Sequence, residues 1–275
     1  MIKRYKFLWL VVLFVGGLAG LATAMAFTPQ DKGISETHDA AVDSVALLPI
    51  RDPHLQQALR LMLTSDQRWE SLDVRGRYTE YAYQADAQSP SVPHGEAVGK
   101  TVFVEEVDIH QPFDLTYRQY VGDAREPRYQ VTIHDGSVRE ESHIGEKEPQ
   151  VSETTLSPTR LQNELALLPR TLQQIQPGTI IDYPLVRQIP ARILDMLFPT
   201  WIAQQAVSPN RLSFEGEAQW LGRPAYRIRL EKPGGGTAVI TAWVDQQTGV
   251  LLRYRYEVAD VLLAEYAVEQ IHVEG

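Results

Sequence analysis

Hydrophobic and polar residues alternate along most of this chain. Segments such as 72–78, 129–133 and 226–230 place a large apolar residue at nearly every second position. Alternation of this kind predicts strands with one buried and one solvated face. We expect four or five antiparallel strands before residue 157 and a second set from Arg211 onwards. No helix of about 10–15 residues separates consecutive strands in the way that a parallel βαβ sheet requires, so the pattern predicts a mainly β (α+β) antiparallel domain.

Two parts of the chain break this alternation. Asp52 and Pro53 supply an N-cap and a first-turn proline, and the apolar residues that follow at helical spacing predict a helix over about 53–67. Apolar residues also recur at helical spacing between 157 and 206, where repeated prolines limit each helix to a short length. The predicted order is therefore helix, strands, short helices, strands.

The first 26 residues carry a different pattern. Residues 7–26 contain no charged side chain, and they follow basic residues at positions 3, 4 and 6. This arrangement is typical of an export signal, but about 20 apolar residues are also long enough to span a bilayer. Residues 1–26 are thus either a signal peptide or an N-terminal membrane anchor. Residues 27–50 are polar and small, which predicts a flexible linker to a single domain over 51–275.

These features predict an extracytoplasmic protein of the cell envelope, anchored in the membrane by residues 7–26 or otherwise secreted or periplasmic. The formal net charge of −9 argues against a nucleic-acid partner, because phosphate binding needs a positive surface. The chain contains no cysteine, which excludes disulfides, thiol nucleophiles and the lipid-modified cysteine of a bacterial lipoprotein.

Candidate catalytic residues are few and scattered. No two of the seven histidines are spaced to share one face of a strand or helix, and no metalloprotease or nucleophile-elbow motif is present. His110, His134 and His143 are predicted to be surface residues near strand ends, and a hydrolase would require two or more of them to converge with acidic residues in a pocket. Glu105 and Glu106 are interpreted as solvated strand residues. We predict no catalytic residue, no metal and no cofactor.

The strongest candidate for a binding function is apolar. Residues 196–202 place two aromatic and three aliphatic side chains around Pro199, and further large aromatic residues occur on the predicted strands. Two interpretations stay open for this pattern. The helices within 157–206 pack on the sheet as an ordinary core, or they form a lid over a cavity for an acyl chain or an apolar peptide.

One hairpin and the order of elements give the chain a resemblance to a known superfamily. The hairpin sequence WVDQQTGVLLR, residues 243–253, follows the turn and strand GRPAY at 222–226. With the helix and two sets of strands, it resembles the LolA/LolB-like lipoprotein-carrier superfamily, which includes the RseB/MucB-type periplasmic regulators of envelope stress. The resemblance implies a strongly curved antiparallel sheet that forms an incomplete barrel, with helices covering its concave face.

The resemblance also implies a function without catalysis. It implies an extracytoplasmic binding protein that holds a lipid, a lipoprotein acyl chain or an apolar segment in the half-barrel. The alternative is a membrane-tethered regulatory module of the RseB/MucB type that senses the state of the envelope through a membrane-protein partner. In either case the binding contacts are diffuse apolar side chains, and the hypothesised lining consists of Leu197, Phe198, Trp201, Phe214, Trp220 and Tyr254.

Overall fold

The described part of the chain begins just before the predicted domain. The computed structural model describes residues 50–83, 96–143, 148–176, 179–189, 191–207, 211–231 and 238–275. The predicted signal or anchor and nearly all of the predicted linker lie outside these residues. Within the described ranges no helix is both long and apolar enough to cross a membrane.

The described strands form one antiparallel sheet with eleven members. Their bounds are β1 Ser71–Ala82, β2 Gly99–His110, β3 Asp114–Val121, β4 Tyr129–His134, β5 Ser137–Ser142, β6 Gln150–Thr155, β7 Arg211–Trp220, β8 Arg223–Glu231, β9 Ala238–Asp245, β10 Leu251–Val258 and β11 Val261–Glu274. The order across the sheet is β6-β5-β4-β3-β2-β1-β11-β10-β9-β8-β7. The first and last strands therefore pair at the centre. The sheet is curved and not closed, which confirms the predicted incomplete barrel.

Helices cover the concave face of this sheet, as predicted. The α-helices of the described residues are α1 Pro53–Leu63, α2 Pro158–Ala166, α3 Pro184–Gln188, α4 Arg192–Leu197 and α5 Thr200–Gln204. Helix α1 contacts β7, β8 and β9, whereas α4 contacts β2 and β10. Because β2 and β10 flank the central pair, α4 lies across the middle of the concave face. We call α3, α4 and α5 the helical cover.

Helix α1 begins where the sequence predicted. The Asp52 carboxylate accepts hydrogen bonds from two backbone amides of the first turn, at 2.8 and 3.0 Å, and Pro53 occupies the first helical position. The helix ends at Leu63, and a short 3-10 turn, Ser65–Gln67, completes the predicted segment. The helix packs between the sheet and α5, and its buried side chains include Leu55, Ala58, Leu59, Met62 and Leu63.

The first set of strands contains six members in the described residues, whereas the sequence predicted four or five. Strand β6 is the additional one, and all six of its residues are exposed. A strand with no buried face needs no alternation of apolar and polar residues, so its sequence carries no strand signal. Backbone pairing with β5 alone defines it.

Candidate functional site

A group of polar side chains is buried between the sheet and helix α4. Glu105 of β2 is completely buried. Its carboxylate accepts hydrogen bonds from the Tyr117 hydroxyl at 3.0 Å, the Gln119 side-chain amide at 3.1 Å and the Ile193 backbone N–H at 2.9 Å. Ile193 belongs to the first turn of α4, so Glu105 ties the helical cover to the sheet. With Arg192 and Asp195 of the same helix, these sheet residues form the Glu105 cluster.

The interpretation of Glu105 as a solvated residue is wrong. Phe103, Glu105 and Val107 occupy alternate positions of β2 and therefore share one face of the strand. Phe103 and Val107 are only 7% and 1% exposed, and Glu105 lies between them. Glu106 points to the opposite face, where it accepts a hydrogen bond from Arg75. The period of two along β2 was the signal that distinguishes the two carboxylates.

Arg192 supplies the positive charge beside the buried carboxylate. Its guanidinium lies 4.0 Å from the centre of the Tyr78 ring and 5.4 Å from that of Phe103, so it is held by two aromatic faces. Burial raises the pKa of Glu105, and the Arg192 charge opposes that shift together with the hydrogen bonds to the carboxylate. The guanidinium and the carboxylate thus compensate part of each other's desolvation cost.

Asp195 adds a second acidic group to the underside of the helical cover. Burial raises the pKa of Asp195 to about 7, and the Asp182 and Glu105 carboxylates add to this shift. Asp195 keeps part of its surface in contact with solvent, but protein atoms make up most of its surroundings. Burial also raises the pKa of Asp182. Asp195 therefore interacts with the Glu105 and Asp182 carboxylates and with the Arg192 guanidinium, whereas the cation that acts on Asp182 is Arg187.

We expect the stability that Asp195 contributes to fall as the pH rises. Because its folded-state pKa of about 7 exceeds the ordinary 3.8, the folded chain keeps this proton between about pH 4 and pH 7 while the unfolded chain releases it. The free energy of unfolding should therefore decrease over this window relative to that of Asp195→Asn, by a few kcal/mol at most. Urea unfolding at a series of pH values measures this difference, and a constant difference would contradict the expectation.

Several buried polar atoms near the cover have no hydrogen-bond partner among the described residues. An unpaired buried polar atom costs about 1–3 kcal/mol, so these atoms weaken the attachment of the cover to the sheet. They are Arg192 Nε, Thr200 Oγ1, Trp201 Nε1 and Tyr266 Oη.

The predicted lining residues at the end of α4 are fully packed. Leu197 and Phe198 are buried, and the Phe198 ring stacks on that of Tyr183 with 3.6 Å between ring centres. The Trp69 ring lies 5.8 Å from the Phe198 ring on another side. Phe198 therefore fills space between the cover and the body of the domain.

Two more predicted lining residues belong to the same region. Trp201 of α5 is partly exposed, although its Nε1 atom is buried. Tyr254 of β10 stacks on Tyr266 with 6.2 Å between ring centres. Burial raises the pKa of Tyr254, and the charges of Arg192 and Asp195 also act on it. Tyr254 thus faces the helical cover.

The remaining two predicted residues lie elsewhere. Phe214 of β7 stacks on His54 of α1 with 4.9 Å between ring centres. The indole of Trp220 donates to the Val268 carbonyl at 2.8 Å and lies 4.8 Å from the Arg253 guanidinium. Arg253 and Tyr254 are consecutive strand residues that point to opposite faces, so Trp220 packs on the outer face. A lining role for the six residues stays a prediction.

The three histidines of the hydrolase hypothesis lie at strand ends. His134 approaches Asp114 and Asp135 closely enough for their ligand atoms to lie within 4.8 Å of one another. The His134 and Asp135 side chains are largely exposed and that of Asp114 is partly exposed, and among the described residues no buried group orients them as the second shell of a metal site would. His110 and His143 each lie beside a carboxylate of their own segment instead.

Comparison with known proteins gives matches in structure alone. No known protein family matches the sequence, and no curated protein matches it. Solved structures do match. MucB in the MucA/MucB complex of Pseudomonas aeruginosa has a TM-score of 0.41 and 12% identity, over 80% of this chain and 57% of that chain. The Mycobacterium tuberculosis lipoprotein LppX has a TM-score of 0.37 and 13% identity, over 81% of this chain and 100% of that chain.

A further match is a Vibrio parahaemolyticus domain described as an outer membrane lipoprotein-sorting protein. It has a TM-score of 0.29 and 9% identity, over 80% of this chain and 93% of that chain. MucB and a lipoprotein-sorting protein, which are of the kinds that the hairpin and the order of elements resemble, are thus among the matched structures. The chain spans little more than half the length of the matched MucB chain. At these TM-scores the likeness carries no argument about function.

Proposed function

We propose that the chain is a non-enzymatic binding protein of the cell envelope that holds a lipid, an acyl chain or an apolar segment between its sheet and its helical cover. The observation that carries this proposal is the construction of the cover. Its three helices have only five, six and five residues. Helices of this length are not stable alone in water, so the cover depends on its contacts with the sheet.

Those contacts are mostly apolar and therefore replaceable by an apolar ligand. Each large apolar side chain buried under the cover stabilises the closed state by about 1.5–3 kcal/mol, and an acyl chain on the same face would recover similar contacts. The unpaired polar atoms subtract from the stability of the closed cover. An apolar ligand would thus offset part of the free energy that is lost when the cover opens. The apolar side chains concerned are Ile193, Leu194, Met196, Leu197, Phe198 and Ile202.

Native mass spectrometry of the full chain, purified from membranes, tests this proposal. We expect a population with one bound lipid or fatty acid, which solvent extraction removes and added palmitate restores. The predicted export segment at residues 7–26 is the reason to purify from membranes rather than from the cytoplasm. A chain that is free of ligand and also fails to bind added palmitate would overturn the proposal.

A second candidate function is favoured by the packing of Phe198. Because its ring is stacked on Tyr183, this part of the interface is filled in the structure, as it would be in a module that binds a protein partner on another surface. Such a module would be tethered by residues 7–26 beside the membrane protein that it regulates. Cross-linking in intact cells, followed by purification of the full chain, should then recover a membrane protein. Recovery of none would count against this candidate.

A further inference from the structure

The outer face of the sheet contains a groove of about 350 Å³ on the side away from the helical cover. Strands β1, β2 and β3 and the turn after β3 form it. A volume of this size suits a small organic ligand. The lining residues include Arg75, Arg77, Glu106, Tyr120, Asp123 and Arg125.

Two arginines of this groove are held in place by carboxylates. Arg75 and Arg77 are two positions apart on β1, so both point to the outer face. Arg75 donates through Nη1 to Glu106 at 2.7 Å, and Arg77 donates through Nε to Glu269 at 2.5 Å. The terminal nitrogens of Arg77 have no hydrogen-bond partner within the described ranges. The carboxylates thus orient the guanidinium groups and leave donors free.

The third arginine of the groove lies in an exposed turn. Arg125, in the turn between β3 and β4, is exposed and forms no ion pair with another described residue. The lining therefore carries three guanidinium groups, and the carboxylates beside them are those of Glu106, Asp123 and Glu269. The Glu106 carboxylate is also occupied by the Tyr120 hydroxyl at 3.1 Å. The charges of the groove are thus balanced locally, on a chain whose formal net charge is −9.

We propose that this outer groove binds the phosphate group of a small phosphate monoester. A tetrahedral phosphate accepts hydrogen bonds from several directions, whereas one guanidinium fork already satisfies a carboxylate. Donors on Arg75 and Arg77 of β1 and on Arg125 of the turn after β3 surround the groove from two elements and therefore suit phosphate better. The Tyr120 ring and the remaining volume accommodate the organic part of the ester.

The ion pair between Arg77 and Glu269 predicts opposite effects of two substitutions on phosphate binding. Glu269 orients Arg77 but also competes with a bound phosphate for its positive charge. Removing an arginine should therefore weaken phosphate binding, and neutralising Glu269 should strengthen it. If the ion pairs served stability alone, neither substitution would alter phosphate binding.

Calorimetric titration of the full chain with glycerol 3-phosphate at low salt tests the site. We expect binding of glycerol 3-phosphate but not of glycerol. Arg77→Gln and Arg125→Gln should each weaken it about tenfold, as expected for loss of a charge-assisted hydrogen bond, and Glu269→Gln should strengthen it. Arg229→Gln is the matched control, because Arg229 lies on β8 and pairs with Glu231; it should change nothing.

Vesicles distinguish a lipid headgroup from a soluble ester as the source of the phosphate. Stronger binding to phosphatidic acid vesicles than to phosphatidylcholine vesicles, lost in Arg125→Gln, would assign the site to a headgroup. Binding of glycerol 3-phosphate without that difference would assign it to a soluble ester. Either result supports the phosphate site. Absence of both, or an equal loss in Arg229→Gln, would overturn it, and thermal melting of each variant checks that it is folded.

Discussion

Replacing Gly249 with alanine should destabilise the domain by more than about 4 kcal/mol, which places it among the largest effects of a single substitution. Gly249 has a φ of +78°, and an added Cβ would overlap the carbonyl oxygen and carbon of Leu61. The left-handed backbone alone costs about 1–2 kcal/mol for a residue with a Cβ. The larger part of the expected loss comes from the overlap with Leu61. Because the overlapping atoms belong to the backbone of α1, the whole helix must shift to relieve the overlap.

Gly222→Ala is the matched control for this prediction. Gly222 has a φ of +75°, almost the same as Gly249, but nothing lies within 4 Å of a Cβ added there. We therefore expect a loss of only about 1–2 kcal/mol. Urea unfolding of both variants separates backbone strain from the contact with α1. Equal losses would mean that the close approach of Leu61 to the hairpin does not matter.

Replacing Glu105 with alanine should destabilise the fold by about 3–5 kcal/mol, as expected when one member of a buried charged group is removed. The change deletes the acceptor of three hydrogen bonds, including the one from the Ile193 amide. It also leaves the Arg192 guanidinium without its neighbouring carboxylate. Urea unfolding should show the lower free energy of unfolding, and the backbone amides of α4 should exchange their hydrogens faster.

Glu106→Ala is the internal control, because Glu106 is the next residue of β2 and points to the outer face. Its ion pair with Arg75 is partly exposed, and such pairs contribute about 0–1 kcal/mol. Glu105→Gln keeps an acceptor for the Ile193 amide and should lose less than Glu105→Ala. If Glu106→Ala proved as costly as Glu105→Ala, the Glu105 cluster would not be what attaches the cover.

The strands and helices with local signals could be predicted from the sequence. Asp52 and Pro53 define the start of α1, and the apolar period of two defines strands such as β4 and β8. The hairpin that carries the resemblance is also local. Asp245 accepts from the Gln247 and Thr248 amides, each at 2.8 Å. The turn places Gly249 directly against Leu61 of α1. Asp245 and Gly249 therefore help to position α1 on the sheet.

The candidate site was harder to predict, because it depends on register and curvature. Phe214 and Trp220 are an even number of positions apart, so an unbroken strand would place both on one face. A register shift between Phe214 and Gly216 interrupts β7, and the two side chains reach opposite faces. The buried Glu105 carboxylate is likewise stabilised by Arg192, which belongs to a helix far along the chain. Such pairings have no local sequence signal.

Photo-cross-linking with a diazirine analogue of palmitate tests most directly whether the helical cover lies over a binding face. The full chain is irradiated with the probe, and the modified peptides are identified by mass spectrometry. We expect adducts on α4 and α5 and on the concave side of β2 and β10, including Tyr254, with fewer adducts when unlabelled palmitate is added. Adducts confined to the outer face, or no adducts at all, would contradict a ligand site beneath the cover.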